Sequence, residues 1–233
     1  MNDLSCLNKT AKMLEVSMVQ SNGSYDQLKC VEDIACNYGC PCIYVLESFL
    51  DEAKREMRER EKKIPIGCGV GFPSGGESIE VKLFQLEQLL AHGCDELDVV
   101  LNLGKFLSGD HSYVEKELKS IIDAADGKPV KAIIETAILS DDQIKDISKL
   151  CVVCGADYIK TGTGWASEPT TIQHICKINE AVDGQIKVKA SGGIRSLATI
   201  QEMSELGVSR FGVNYLSAMS ILDECKRIDE GLH

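Results

Sequence analysis

Two periodicities alternate along the chain. Short apolar runs occupy Cys42 to Leu46, Ile64 to Phe72, Glu96 to Asn102, Val130 to Glu135, Asp157 to Lys160, Ile186 to Ala190 and Arg210 to Val213. Their length and β-branched content predict buried strands. Between them the apolar positions fall three and four residues apart, which predicts amphipathic helices. These helices are expected over about 24–37, 47–63, 77–92, 113–125, 141–154, 169–181, 197–206 and 216–228. Ser24 stands where an N-cap belongs, after the turn at Asn22-Gly23. The run Met13 to Val19 supplies one more strand ahead of the first helix and is the least marked of the set. Strand and helix thus alternate through eight βα units, which predicts an α/β protein with a single (β/α)8 TIM barrel. A doubly wound sheet is the structural alternative, but it would carry a phosphate fingerprint after its first strand, and none is present. With no linker or low-complexity segment, residues 1–233 are expected to form one domain.

Composition narrows the function classes. The chain is 44% hydrophobic but only 5% aromatic, so its core is aliphatic, as buried parallel strands require. A formal charge of -11 argues against nucleic acid and anionic membranes as partners. Any phosphorylated ligand must therefore be held by local groups. Met1 to Ala11 has no apolar core of signal-peptide type and no run reaches membrane-spanning length, which points to the cytoplasm. There are 11 cysteines, and Cys151-x-x-Cys154 looks like half a metal or redox site. A second half is missing, so reduced thiols are expected, with no metal and no cofactor.

In a barrel, chemistry gathers at the C-terminal ends of the strands. Those ends offer Cys42 and Tyr44, Asp98, Lys131 and Glu135, Lys160, Lys189, and Gly212 with Asn214. Lys160 closes the sixth predicted strand and runs at once into Thr161-Gly162-Thr163-Gly164-Trp165. A lysine at the end of a buried strand is costly unless its charge or its nucleophilicity is used. The neighbouring strand offers Lys189, and two ammonium groups side by side disfavour each other's charge. A Schiff-base lysine needs that help to be neutral near pH 7. Asp98 can move protons beside them. Taken singly, each of these residues fits a structural ion pair as well. Together at strand ends they point to covalent catalysis. Gly192-Gly193, ahead of Ile194-Arg195, and Gly164 leave backbone amides open where barrels commonly cradle phosphate. His92, His111 and His174 fall away from the strand ends and are expected to be surface or packing residues.

These motifs resemble the 2-deoxyribose-5-phosphate aldolase family. The resemblance is carried by Asp95-Glu96-Leu97-Asp98-Val99-Val100, Ile133-Ile134-Glu135-Thr136, Gly155 to Gly164, Val188 to Arg195, and Gly71-Phe72-Pro73. It implies a cofactor-free class I aldolase, a lyase that reversibly splits 2-deoxyribose 5-phosphate into acetaldehyde and glyceraldehyde 3-phosphate. Lys160 matches the Schiff-base lysine, Lys189 the lysine that perturbs it, and Asp98 the relay aspartate. Gly164, Gly192 and Gly193 match phosphate-binding glycines, and Cys42 a cysteine found near the site. Ser17, Asn214 and Lys131 are expected to complete the substrate and phosphate pocket. A homodimer or other homo-oligomer is expected.

The chain also departs from the family. Where the family has Asp-His-Thr-Leu-Leu-Lys, this chain has Glu15-Val16-Ser17-Met18-Val19-Gln20. Gly162 replaces a serine, Trp165 follows, and Gly212-Val213-Asn214-Tyr215 closes the last strand with a larger residue. These changes keep two rival readings open: an aldolase with another sugar-phosphate or aldehyde substrate, and a sugar-phosphate-binding paralogue without turnover.

Overall fold

The computed structural model describes residues 5–232, and the expectation for Met1 to Ala11 falls in part outside them. Eight parallel strands close into a barrel in chain order, with the last strand pairing with the first. They are β1 Leu14–Met18, β2 Cys42–Val45, β3 Ile66–Val70, β4 Glu96–Val100, β5 Val130–Ile133, β6 Tyr158–Lys160, β7 Lys187–Ser191 and β8 Val208–Asn214. Around them lie α2 Tyr25–Tyr38, α3 Leu50–Glu59, α4 Ile79–Ala91, α6 His111–Ala124, α7 Asp141–Cys154, α8 Ile172–Val182, α9 Leu197–Glu205 and α10 Tyr215–Asp229.

Two short helices were not expected from the pattern: α1 Cys6–Ala11 and α5 Leu103–Leu107. At six and five residues they are too short to show a helical period. The Asp229 carboxylate accepts the Cys6 and Leu7 amides at 2.8 and 3.0 Å, and so ties α1 to α10. Asn102, leaving β4, caps α5 by accepting the Lys105 amide. The helix expected over 47–63 is shorter, because Glu47–Phe49 forms a 3-10 turn and α3 stops at Glu59. α8 begins at Ile172, not near Pro169, because Thr171 caps it. Ser24, Ser140 and Thr171 each form a reciprocal capping box with the residue three positions on.

Alternation along the strands divides the interior in two. Leu14, Val16 and Met18 of β1, Leu97 and Val99 of β4, and Phe211 and Val213 of β8 face the helices and join one continuous apolar core. The residues between them face the barrel axis. The core is therefore a ring between wall and helices. Cys151 and Cys154 belong to that ring. Burial pushes both thiols up, Cys154 to about 11, so they stay protonated at neutral pH. No helix of the described residues is long and apolar enough to cross a membrane.

Candidate active site

The barrel axis is lined by charge. Lys160 on β6 and Lys189 on β7 are register partners, so both ammonium groups project at one level. Both reach the same oxygen of Asp98 across the barrel, Oδ2, at 2.6 and 2.8 Å. Asp98 is 1% exposed and its other oxygen, Oδ1, is buried without a hydrogen-bond partner in the protein. Burial alone would raise the Asp98 pKa, but Lys160, Lys189 and Lys131 together hold it well below the usual carboxylate range. Lys160 is also shifted down, which for an amine favours the neutral form. Burial, and after it the charge of Lys189, outweigh the pull of Asp98 and bring its pKa down to about 8. The Tyr44 ring sits beneath the pair, with its centroid 3.7 Å from Lys189 Nζ and 5.7 Å from Lys160 Nζ. Gly67 on the neighbouring strand makes room for that ring, since a Cβ there would meet Tyr44 at 2.5 Å.

One level deeper stands Glu15, which the strand-end reading passed over. It is wholly buried, pairs with Lys189 through Oε2, and lies 3.3 Å from Lys131 Nζ. Its signal in the sequence was a single carboxylate in the apolar run of the first strand. Lys131 belongs to this deeper level and does not line the cavity as expected of a substrate-binding residue. Glu96, the Tyr44 hydroxyl and Glu15 claim its ammonium group, and its exposure is 1%. Cys42 is also withdrawn from the cavity. It is fully buried, its thiol donates to the Ile43 carbonyl, and burial raises its pKa well above the ordinary thiol value. Lys187 shares the alternation of Lys189 but sits at the opposite, N-terminal end of β7, exposed beside the Tyr158 ring.

Above the lysines the cavity opens at the C-terminal ends of the strands. Its lining includes Gly164, Gly192, Gly193 and Arg195 from the loops after β6 and β7, Asn214 at the end of β8, and Ser17, Val19, Gln20 and Phe72 from the ends of β1 and β3. The three glycines have φ of 81°, 95° and 77°, a region that favours glycine. At Gly193 a side chain would also strike Pro169 at 2.5 Å. The loops after β6 and β7 are stitched together: Thr170 donates from its backbone to Gly192 and from its hydroxyl to Ser191. Asn214 uses its side-chain oxygen to cap α10 by accepting the Ser217 amide, which leaves the N-terminus of that helix at the cavity rim. Ser17 donates to the Val213 carbonyl and joins the β1 and β8 rims.

Trp165, from the β6 loop, reaches over the mouth. Its indole N–H donates to the Val19 carbonyl at 3.1 Å, and its ring meets Phe72 edge-on. Gly162 has a local explanation. Glu135, at φ 44°, turns its carboxylate back onto the Thr163 amide, and a Cβ at Gly162 would lie 2.7 Å from that carboxylate. Tyr215 does not reshape the cavity; it is half-buried against the apolar ring. The three candidate histidines stay at the periphery: His92 beside Asp51, His111 stacked on Phe106, and His174 in the α8 cap.

Comparison with known proteins agrees with the fold. Residues 4–215 match the family described as DeoC/LacD family aldolase. A deoxyribose-phosphate aldolase of Klebsiella pneumoniae subsp. pneumoniae is 34% identical over 96% of this chain and 90% of its own. A solved aldolase designated QR15 superposes with a TM-score of 0.85 at 32% identity, covering 96% of this chain and 98% of its own. A deoxyribose-phosphate aldolase of Aeropyrum pernix, described as tetrameric, shares the fold with a TM-score of 0.85 at 24% identity, over 95% of this chain and 93% of its own.

Proposed function

The chain belongs to the DeoC/LacD family of aldolases, and from that premise we propose that Lys160 is the residue through which it acts. The reaction is the reversible cleavage of 2-deoxyribose 5-phosphate to acetaldehyde and glyceraldehyde 3-phosphate. The single observation that carries the assignment is the pair of lysines on one carboxylate oxygen, with Lys160 brought down to about 8.

The steps follow from these positions. Neutral Lys160 attacks the aldehyde carbon of the open-chain sugar, and with one proton taken from Lys189 the aldehyde oxygen leaves as water, giving a protonated imine. The imine withdraws electrons as the bond between the second and third carbons breaks. The hydroxyl on the third carbon must lose its proton in that step, and the free Oδ1 of Asp98 is a ready acceptor. Glyceraldehyde 3-phosphate departs and leaves an enamine on Lys160. Protonation of the enamine carbon restores the imine, and water releases acetaldehyde. Lys189, beside both Lys160 and Asp98, returns protons to this site.

The phosphate belongs at the glycine wall. The backbone of Gly164, Gly192 and Gly193, the N-terminus of α10 and the Arg195 guanidinium converge there. This local set answers the unfavourable formal charge of -11. The protein is proposed to work in the cytoplasm as a homo-oligomer on a phosphorylated sugar.

The test is turnover of 2-deoxyribose 5-phosphate by wild type and Lys160→Ala. The variant is expected to lose roughly 10⁴-fold or more of kcat, as when a covalent nucleophile is removed, while keeping its circular dichroism. Undiminished turnover in the variant would remove Lys160 from the mechanism. Cleavage of other sugar phosphates in preference would favour the rival aldolase reading, and tight binding without cleavage the paralogue.

A further inference from the structure

Glu15 is fully buried in the barrel, faces the two reacting lysines from β1, and takes no direct part in the steps above. Resting on the Schiff-base reading, we infer that Glu15 is a positioning residue that decides which lysine is the nucleophile. It holds the proton on Lys189, and Lys160 is therefore the amine that condenses with the carbonyl.

Asp98 cannot make that choice. Its Oδ2 receives both ammonium groups at nearly equal distance, 2.6 and 2.8 Å. The two lysines differ in what else they touch. Lys189 also rests on Glu15 Oε2 and lies 3.7 Å from the Tyr44 ring centroid, and both contacts favour a cation. Lys160 has Asp98 as its one carboxylate within ion-pair distance among the described residues. The other oxygen of Glu15 lies 3.3 Å from Lys131 Nζ on β5 and 3.5 Å from Arg210 Nε on β8. From β2, Tyr44 and Cys42 also feel its charge, and both are held protonated by burial first of all. The lumen then balances: Glu15, Glu96 and Asp98 are matched by Lys131, Lys189 and Arg210, with Lys160 as the surplus cation. Loss of the Lys160 proton leaves this mostly buried set neutral, which burial favours.

Neither oxygen of Glu15 accepts a well-formed hydrogen bond, so its hold on Lys189 is one of charge. Glu15→Gln removes that charge at nearly constant shape. With Glu15 neutral, Lys189 keeps only the closer Tyr44 ring to set it apart from Lys160, and loses its second carboxylate.

The experiment reads the site of imine formation directly. Protein is mixed with acetaldehyde and sodium borohydride between pH 6 and 9, digested, and mapped by mass spectrometry. In the trapped reaction the lysine nitrogen bonds to the aldehyde carbon and the oxygen leaves as water. Hydride from borohydride then adds to that carbon, leaving a stable ethylamine. In wild type, adducts on Lys160 are expected to exceed those on Lys189 by ~10-fold or more, because Lys189 has a second carboxylate partner and Lys160 does not. In Glu15→Gln that ratio falls by ~10-fold on the same basis, and in Glu15→Asp it lies between the two. A purely structural role would lower both adducts together and leave the ratio where it was. An unchanged ratio in folded Glu15→Gln overturns the inference. If circular dichroism shows that Glu15→Gln does not fold, Glu15→Asp carries the test, and a ratio equal to wild type overturns it. Absence of any adduct in active wild-type protein defeats the underlying Schiff-base reading instead, which keeps the two failures apart.

Discussion

Leu97 and Asp98 are adjacent in the chain and both almost fully buried, yet they belong to two different interiors. Leu97 points through the wall of the barrel into the aliphatic ring beneath the helices, and Asp98 points to the axis between two lysines. The ring is apolar, continuous and closed to water, and its contribution is burial of surface. The axis is filled with carboxylates, ammonium groups and tyrosines whose desolvation has to be offset by pairing. Strand alternation is what allows both in one wall of single-strand thickness.

Substitutions on the two sides of the wall are therefore expected to separate activity from stability. The largest effect belongs to the axis. Asp98→Asn is expected to lower kcat by ~10²- to 10⁴-fold, the range for loss of a positioned acid or base. Steady-state rates on folded protein check this, and a loss below tenfold would take Asp98 out of proton transfer. On the other face, Leu97→Ala is expected to cost ~2–5 kcal/mol of stability and to leave kcat at low temperature within about twofold. Denaturant melts beside the same kinetic assay decide this, and a large kcat loss would show that the two interiors are not separable. Smaller again is Arg195→Met at the rim. It is expected to raise KM for the phosphorylated sugar by roughly tenfold, as loss of one charged contact does, with unphosphorylated deoxyribose unaffected. Equal effects on both sugars would move the phosphate away from that wall.

The sequence made the barrel legible because eight strands and their helices repeat the same two periodicities. Asp141–Cys154 was expected over the same residues that form α7, and the Ser24 cap was expected where it stands. α1 and α5 were hidden because both are too short to show a period: α1 is held by Asp229, distant in sequence, and α5 by a local cap from Asn102 at the end of the β4 run. The site was legible wherever a charged residue interrupts a strand end, as at Asp98, Lys160 and Lys189. It was misread where depth mattered. Alternation puts Lys131 and Lys160 on the same face of the wall, but strand stagger sets Lys131 a level deeper, where Glu96 and Glu15 bind it. Glu15 escaped notice for the complementary reason: it lies near the start of its strand, below the strand ends, yet its carboxylate pairs with Lys189.

The central claim is that the charged axis, and not any contact with substrate, makes Lys160 a nucleophile near neutral pH. Burial and Lys189 lower its pKa to about 8, so its neutral, reactive form grows as pH rises through that value. The sign carries over to stability. Between about 8 and the ordinary lysine value of 10.5 the unfolded chain binds the extra proton, so this group adds stability as pH rises through that window and takes it away below. The direct measurement is the initial rate of borohydride-trapped acetaldehyde adduct on Lys160 as a function of pH. The account predicts a half-maximal rate near pH 8. A rate still rising towards the ordinary lysine range, ~10.4, would contradict it.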